Sequence, residues 1–304
     1  SNKEAGGAYI GAGYRHVIGA AKRYGVKLID VTPTLEFFRE QELVLEGRII
    51  RQSEWPTHSD NPFPEKDKAL MPWNYSRVLI SRESPLQKTK DWLDPNQAHN
   101  DIPLSDWMKG LGLNDKAVKL GYGMNVSFGD NAQDVSALLM FFRAAFSLDQ
   151  RKQASKGVVG FTALNGVQRI PEAMAENLYN EVHYGKIVTN IDDSGEQAEV
   201  LCTDGTIYKT PQIICSLPFG VLRNIKINPT LTGLQQEAVK KLPSQPVTQL
   251  YFAHRSDFWE ADGLKPSMFT DGVAGMLAAA RNGEDPTKVT SFTAWAMGPN
   301  AARL

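Results

Sequence analysis

The apolar positions along the chain fall into helical and strand-like stretches that follow one another without repeating. Over residues 14–24, Val17, Ile18, Ala20, Ala21 and Tyr24 recur at helical spacing. Lys22, Arg23 and then Gly25 supply a stop, with basic charge at the negative dipole end and a residue that tolerates positive φ. Gly6-Gly7-Ala8-Tyr9-Ile10-Gly11 ahead of this run is a compact glycine-rich turn, so the chain opens as a loop followed by a helix. From about 36 to 103 the prolines Pro56, Pro62, Pro64, Pro72, Pro85, Pro95 and Pro103 interrupt any long periodic run, which predicts short elements and long loops. Helices follow. Ser105 is placed to cap one through 111, Asn114 another through 120, and Asp134 a longer one through 146.

A helix over 170–178 opens with Pro171 in its first turn, where the missing amide donor costs nothing. Three strands are predicted next, at 186–191, 198–203 and 212–217. They are closed by Asp192-Asp193-Ser194-Gly195, Asp204-Gly205 and Pro218, and a meander is the economical arrangement. Thr232-Gly233-Leu234-Gln235 has capping-box spacing before a helix over 236–242, and 247–253 and 289–297 alternate as strands. The pattern is that of an α+β protein, with no internal repeat or low-complexity tract.

Composition narrows the function classes. The chain has 304 residues, 42% hydrophobic and 22% charged, which is ordinary for a soluble globular protein with one or two cores. Lys and Arg total 33 against 34 for Asp and Glu, so no long-range field attracts nucleic acid or an anionic membrane. The longest apolar stretch, 135–146, is interrupted by Ser136 and Arg143 and is shorter than the roughly 20 residues that span a bilayer. It reads as a buried helix. Cys202 and Cys215 fall in predicted strands as core residues, and two thiols in a chain this long favour a reducing, cytoplasmic setting over a disulfide framework. Ser1-Asn2-Lys3-Glu4 has neither the charge nor the apolar run of a signal peptide and reads as a cut within a longer protein.

Candidate chemistry is sparse when read from residue types alone. The five histidines, His16, His58, His99, His183 and His254, have no metal-ligand spacing, and no nucleophile sits in an elbow or triad sequence. A dinucleotide fingerprint G-x-G-x-x-G is absent, because Gly11-Ala12-Gly13 and Gly121-Tyr122-Gly123 lack the third glycine. Taken by themselves, Gly6 and Gly7 are a tight turn, Val188 a buried strand residue, Ser216 and Pro218 the end of a strand, and Met268 and Phe269 apolar core.

Several separated segments, in order, resemble the flavin-containing amine oxidase (monoamine oxidase-like) family. Residues 4–11 and the helix after them are similar to the segment that passes along the flavin in that family. Residues 166–178 are similar to its glycine-led helix. Lys186-Ile187-Val188-Thr189-Asn190-Ile191, the Asp204-Gly205 turn and Ile213-Ile214-Cys215-Ser216-Leu217-Pro218 resemble its adenine-side meander. Ile227-Asn228-Pro229-Thr230-Leu231, the helix to 242, and Gln249-Leu250-Tyr251-Phe252 up to Phe258-Trp259 resemble the start of its substrate domain.

The resemblance implies segments of an FAD-binding domain interleaved with a substrate domain of mixed sheet plus helices. FAD-domain segments would be 1–34 and 157–218, and substrate-domain segments 35–156, largely helical, and 219–304, largely sheet. It implies FAD contacts at Gly6, Gly7, Ala8, Tyr9, Val188, Ser216 and Pro218, with Met268 and Phe269 lining the amine cavity. Gln249 falls where the family commonly places a lysine linked through water to flavin N5; glutamine holds a water but is neutral and takes no proton from it.

On this resemblance the family's fingerprint is expected before Ser1 and its flavin-closing segment after Leu304. The expectation is therefore the central portion of an FAD-dependent amine oxidase or dehydrogenase acting on a small-molecule amine. By itself this portion should be inactive and hold FAD weakly or not at all. The rival readings are a flavin-dependent desaturase or porphyrinogen-type oxidase, and a non-catalytic binding module derived from the substrate domain.

Overall fold

A computed structural model describes residues 4, 6–35, 40–125, 131–154, 157–281 and 285–304. Ser1–Lys3 and Ala5 of the opening segment lie outside the described residues. The chain divides into two compact units, Ser1–Asn177 with Pro246–Leu304, and Leu178–Gln245.

The larger unit begins with β1 (Ile10–Gly11), α1 (Arg15–Arg23), β2 (Leu28–Asp30), α2 (Thr32–Leu35), β3 (Gln41–Leu45) and β4 (Arg48–Ile50). It continues with α3 (Pro72–Glu83), α4 (Leu104–Gly110), α5 (Asp115–Gly123), α6 (Ala137–Gln153), β5 (Gly160–Ala163) and α7 (Arg169–Glu176). The smaller unit holds β6 (Val188–Asp192), β7 (Ala198–Cys202), β8 (Ile207–Thr210), α8 (Phe219–Leu222), β9 (Lys226–Asn228) and α9 (Gly233–Lys241). The chain then completes the larger unit with β10 (Val247–Phe252), α10 (Phe258–Ala261), β11 (Ser267–Thr270), β12 (Met276–Arg281) and β13 (Val289–Met297). The α+β class and the mixed sheet with helices expected from sequence are those observed.

In the larger unit β5 lies between β1 and β2 in a small antiparallel sheet. A six-stranded sheet runs β10-β13-β12-β11-β3-β4, and β3 pairs with β11 in parallel. Strand alternation and register put Leu43, Ile50, Phe269, Met276 and Trp295 on one face. That face joins Tyr75 and Leu79 of α3, Tyr122 of α5 and Phe141 of α6 in one hydrophobic core. The rings of Phe63 and Tyr75 stack at 3.7 Å and 10°. α5 approaches so closely that a Cβ on Gly121 would lie 2.5 Å from Tyr75 Cδ1. Trp259, Phe292, Leu264 and Leu277 form a second cluster.

The region expected to be mostly loop holds two regular pieces. β3 and β4 form a hairpin about Glu46 and Gly47, at φ 50° and 74°, the left-handed pair that a two-residue turn requires. α3 begins on Pro72 itself, where a proline favours a helix rather than breaking one. Its last turn carries Arg82, which donates to both carboxylate oxygens of Asp67 at 2.8 and 3.1 Å. The Asp67 side chain is only 3% exposed, and the Arg82 hydrogen bonds hold its carboxyl below the usual range against the opposing effect of burial.

Capping is only partly as expected. Asn114 accepts from the Ala117 amide as predicted, but Ser136 rather than Asp134 caps α6, accepting from the Leu139 amide at 3.3 Å. The Asp134 carboxylate instead accepts from the Asn131 side chain. Ser105 lies inside α4 and donates to Gln133 Oε1 at 2.6 Å. Thr232 precedes α9 without a side-chain capping bond.

The smaller unit is built on the sheet β8-β7-β6-β9, with β6 and β9 parallel. Its third strand in sequence is β8, which follows β7 through the Asp204-Gly205 turn, Gly205 being at φ 83°. The apolar run 212–217 is not a strand: Ile214 is 97% exposed and Cys215 is exposed, while Cys202 is buried as expected. A short apolar run carries no periodicity of its own, and the turn at Gly205 had already committed the preceding residues to the ladder. No helix among the described residues is long and apolar enough to cross a membrane.

Candidate flavin and substrate site

The glycine-rich opening is held at both ends within the larger unit. Glu4 Oε1 accepts from the Val167 amide at 2.5 Å, and the Glu4 main-chain carbonyl accepts from the Tyr251 hydroxyl at 2.6 Å. At the other end Ile10 and Gly11 pair with Phe161 and Gly160. A Cβ on Gly160 would sit 2.8 Å from the Ile10 carbonyl oxygen, so glycine there lets the two strands meet.

Between these anchors lie Gly6, Gly7, Ala8 and Tyr9. Gly7 is at φ 67°, the left-handed region that glycine enters without steric cost. Gly6 is not, and at neither position would a Cβ come within 4 Å of a described protein atom. Backbone geometry thus accounts for Gly7, while nothing in the described protein requires glycine at Gly6. The space beside the turn is open, and Tyr9 is 57% exposed.

Val167 follows a tight turn after β5, with Asn165 and Gly166 at φ 67° and 101° and the Gly166 amide bonded to the Ala163 carbonyl at 3.0 Å. α7 starts two residues later. On the other side of Glu4, β10 pairs with β13, placing Gln249 opposite Trp295 and Tyr251 opposite Thr293. Alternation puts Gln249 and Tyr251 on one face, and the Tyr251 hydroxyl touches the Gln249 side-chain amide. Burial, and then the Glu4 carboxylate, push the Tyr251 phenol up, so it remains a protonated donor. The Trp295 indole nitrogen is buried without a hydrogen-bond partner among the described residues.

Three stretches far apart in sequence therefore meet at Glu4: the diglycine turn, the turn before α7, and β10. Sequence reasoning singled out each stretch but not the residues that join them, Glu4, Val167 and Tyr251. The spacing of 249 and 251, two apart on a predicted strand, was the available signal for Tyr251.

The remaining candidates are placed as follows. Phe269 shares the face of the sheet with Met276 and Trp295, is 9% exposed, and stacks on Trp73 at 5.2 Å and 14°. Met268 precedes it in β11 and so points to the opposite face, with Leu277 and Glu42 as its register partners. Two cavities of the larger unit lie elsewhere. One of about 330 Å³ is lined by His254, Asp257, Trp259, Lys265, Arg281 and Lys288 among others; the other, of about 770 Å³, by residues including Asp60, Ser105, Lys109, Tyr122 and Asp271. In the smaller unit Val188 opens β6, half-buried and paired with Cys202, while Ser216 and Pro218 are exposed ahead of α8.

The family profile described as flavin containing amine oxidoreductase matches residues 4–304. The chain belongs to that family. A flavin-containing amine oxidase of Danio rerio is 24% identical over 270 residues, covering 86% of this chain and 50% of the relative. The flavin-containing amine oxidase B of Cavia porcellus is 21% identical over 282 residues, covering 88% and 51%. The chain spans about half the length of the curated relatives it matches. Among solved structures it is similar in fold to cyclohexylamine oxidase from Brevibacterium oxydans IH-35A, with TM-score 0.72 and 14% identity over 98% of this chain and 65% of that one. It is also similar to a putrescine oxidase variant, with TM-score 0.70 and 19% identity over 99% and 66%. As a member of the flavin amine oxidoreductases, the chain derives from a family of FAD-binding oxidoreductases, and the rival desaturase and binding-module readings are not favoured.

Proposed function

We propose that this chain supplies part of the FAD site and part of the substrate chamber of an amine oxidase or dehydrogenase acting on a small amine. Bound FAD would supply the hydride acceptor for the amine α-carbon, the resulting imine then being lost to water. The chain's own residues would orient and exclude. Gly6 and Gly7, with Ala8 and Tyr9, would let the backbone approach the isoalloxazine, and Val188, Ser216 and Pro218 would face the adenine side. Gln249 would hold water near the flavin without taking its proton, and Met268 and Phe269 would belong to the chamber wall. The functional division would follow the segments 1–34 and 157–218 for FAD and 35–156 and 219–304 for substrate.

The observation that supports this reading is the junction at Glu4. It ties together three stretches that each resemble flavin-side or substrate-side segments of the family, beside a glycine whose missing Cβ answers to no described protein atom. The relatives named as amine oxidases, and a putrescine oxidase structure bound to putrescine, make a small amine the natural substrate class.

The 304 residues contain no phosphate-binding fingerprint, and retention of FAD by this stretch alone is expected to be weak, with no turnover. An absorbance scan of the purified chain should show no stoichiometric flavin bands. With FAD added, quenching of flavin fluorescence should be lost in Gly6→Ala while the thermal unfolding midpoint stays unchanged, because the added Cβ meets no described protein atom within 4 Å. Equal quenching in the variant and the parent would remove the diglycine turn from the site.

A further inference from the structure

The Tyr251 hydroxyl has one proton and two oxygens within hydrogen-bonding reach, the Glu4 main-chain carbonyl and the side-chain amide oxygen of Gln249. One proton shared between both would make two weakened bonds. The Glu4 carbonyl is fixed by its backbone and has no donor to offer. The Gln249 amide can turn over, exchanging oxygen for nitrogen with almost no change in shape. The Tyr251 contact is its sole hydrogen bond among the described residues, so turning over breaks nothing else.

We propose that Gln249, Tyr251 and Glu4 form a directed hydrogen-bond chain, from Gln249 Nε2–H to the Tyr251 oxygen and from Tyr251 O–H to the Glu4 carbonyl, that clamps the diglycine turn onto β10. Tyr251 and Gln249 are then positioning residues for the turn. What makes this more than one bond among many is location. Glu4 is the near anchor of an open stretch whose far anchor is the β1–β5 pairing, and its second tie is the carboxylate contact to the Val167 amide. Between those anchors no described protein atom lies within 4 Å of the Cβ position at Gly6 or Gly7, so where Glu4 is held bears directly on the conformation of the diglycine. The direction of the chain also sets a requirement on position 249, which must donate. A lysine satisfies that requirement as well as glutamine does, and a carboxylate does not. A carboxylate there would take the phenol proton for itself in a charge-assisted bond and leave the Glu4 carbonyl without a partner.

The clamp rests on the proposed function only for the identity of the ligand beside the turn, and its test needs no flavin. In amide hydrogen exchange on the 304-residue chain, Tyr251→Phe should speed exchange of the Val167 amide, which is held by Glu4, about five- to tenfold, the loss of one hydrogen bond, with the amides of β3 and β11 unchanged. Gln249→Glu should reproduce that acceleration, and Gln249→Lys should leave exchange at the parent rate. The clamp is overturned if Tyr251→Phe changes nothing at the Val167 amide, if it loosens the whole larger unit alike, or if Gln249→Glu and Gln249→Lys behave the same. A turn clamped in this way on a chain that quenches no added FAD would leave the hydrogen-bond chain standing and remove only the functional reading.

Discussion

Arg82→Met is expected to destabilise the larger unit by about 1 to 3 kcal/mol, below the loss for a fully buried ion pair because the Arg82 side chain is 37% exposed. The cost falls on Asp67, whose side chain is 3% exposed and receives two Arg82 bonds at 2.8 and 3.1 Å. The sign with pH follows from the causes. In the parent, Arg82 holds the Asp67 carboxyl below its usual range, so the pair stabilises above the ordinary carboxylate value of about 3.9 and fails as pH falls through the depressed one. In the variant the largest lowering cause is gone, and burial, which raises the carboxyl, is opposed only by the nearby Lys66 charge and the Tyr75 hydroxyl, so the ionised Asp67 stabilises the folded state far less. The stability gap between the two proteins should therefore widen from pH 3 to pH 7 in urea unfolding. A gap independent of pH would mean that Asp67 is not the residue bearing the cost. Tyr75, buried and near the Asp67 charge, is pushed up to about 12, so its phenol stays neutral across that range.

The second large effect is a contrast between two helical glycines. Gly121→Ala places a methyl 2.5 Å from the Tyr75 ring, which is itself stacked on Phe63 and cannot retreat, and a loss of about 2 to 3 kcal/mol is expected from overpacking. Gly19→Ala, in the middle of α1 with no atom within 4 Å of its Cβ, should gain about 0.5 to 1 kcal/mol from helix propensity alone. Thermal unfolding midpoints should move in opposite directions. If both substitutions stabilise, α5 does not sit as closely on α3 as described here.

Much of the fold was legible where local chemistry and the final structure agree. α1 ends at its basic residues, Asn114 caps α5, and β10 and β13 lie where alternation placed them. The misses share a cause. Pro72 was read as an interruption when at the first helical position it is a start, and the Glu46-Gly47 hairpin was hidden inside a stretch judged by its prolines. The run 212–217 is as apolar as a buried strand, but a ladder needs a neighbour, and the neighbour of β7 was already supplied by residues 207–210. Of the candidate site, the glycines and Gln249 were visible as residue types. Their meeting at Glu4 was not, because contacts across 163 and 247 residues of sequence leave no trace in any local pattern.

The parallel pairing of β3 with β11 has a consequence for how the chain is made. Leu43 and Phe269 are register partners, yet a ribosome that has released the first must add more than two hundred residues, the whole smaller unit among them, before the second emerges. At synthesis rates of about 5 to 20 residues per second that interval is on the order of tens of seconds. Throughout it the nascent β3–β4 hairpin and the helices that will cover it have no finished sheet to close on, which makes this segment the natural client for a chaperone during translation.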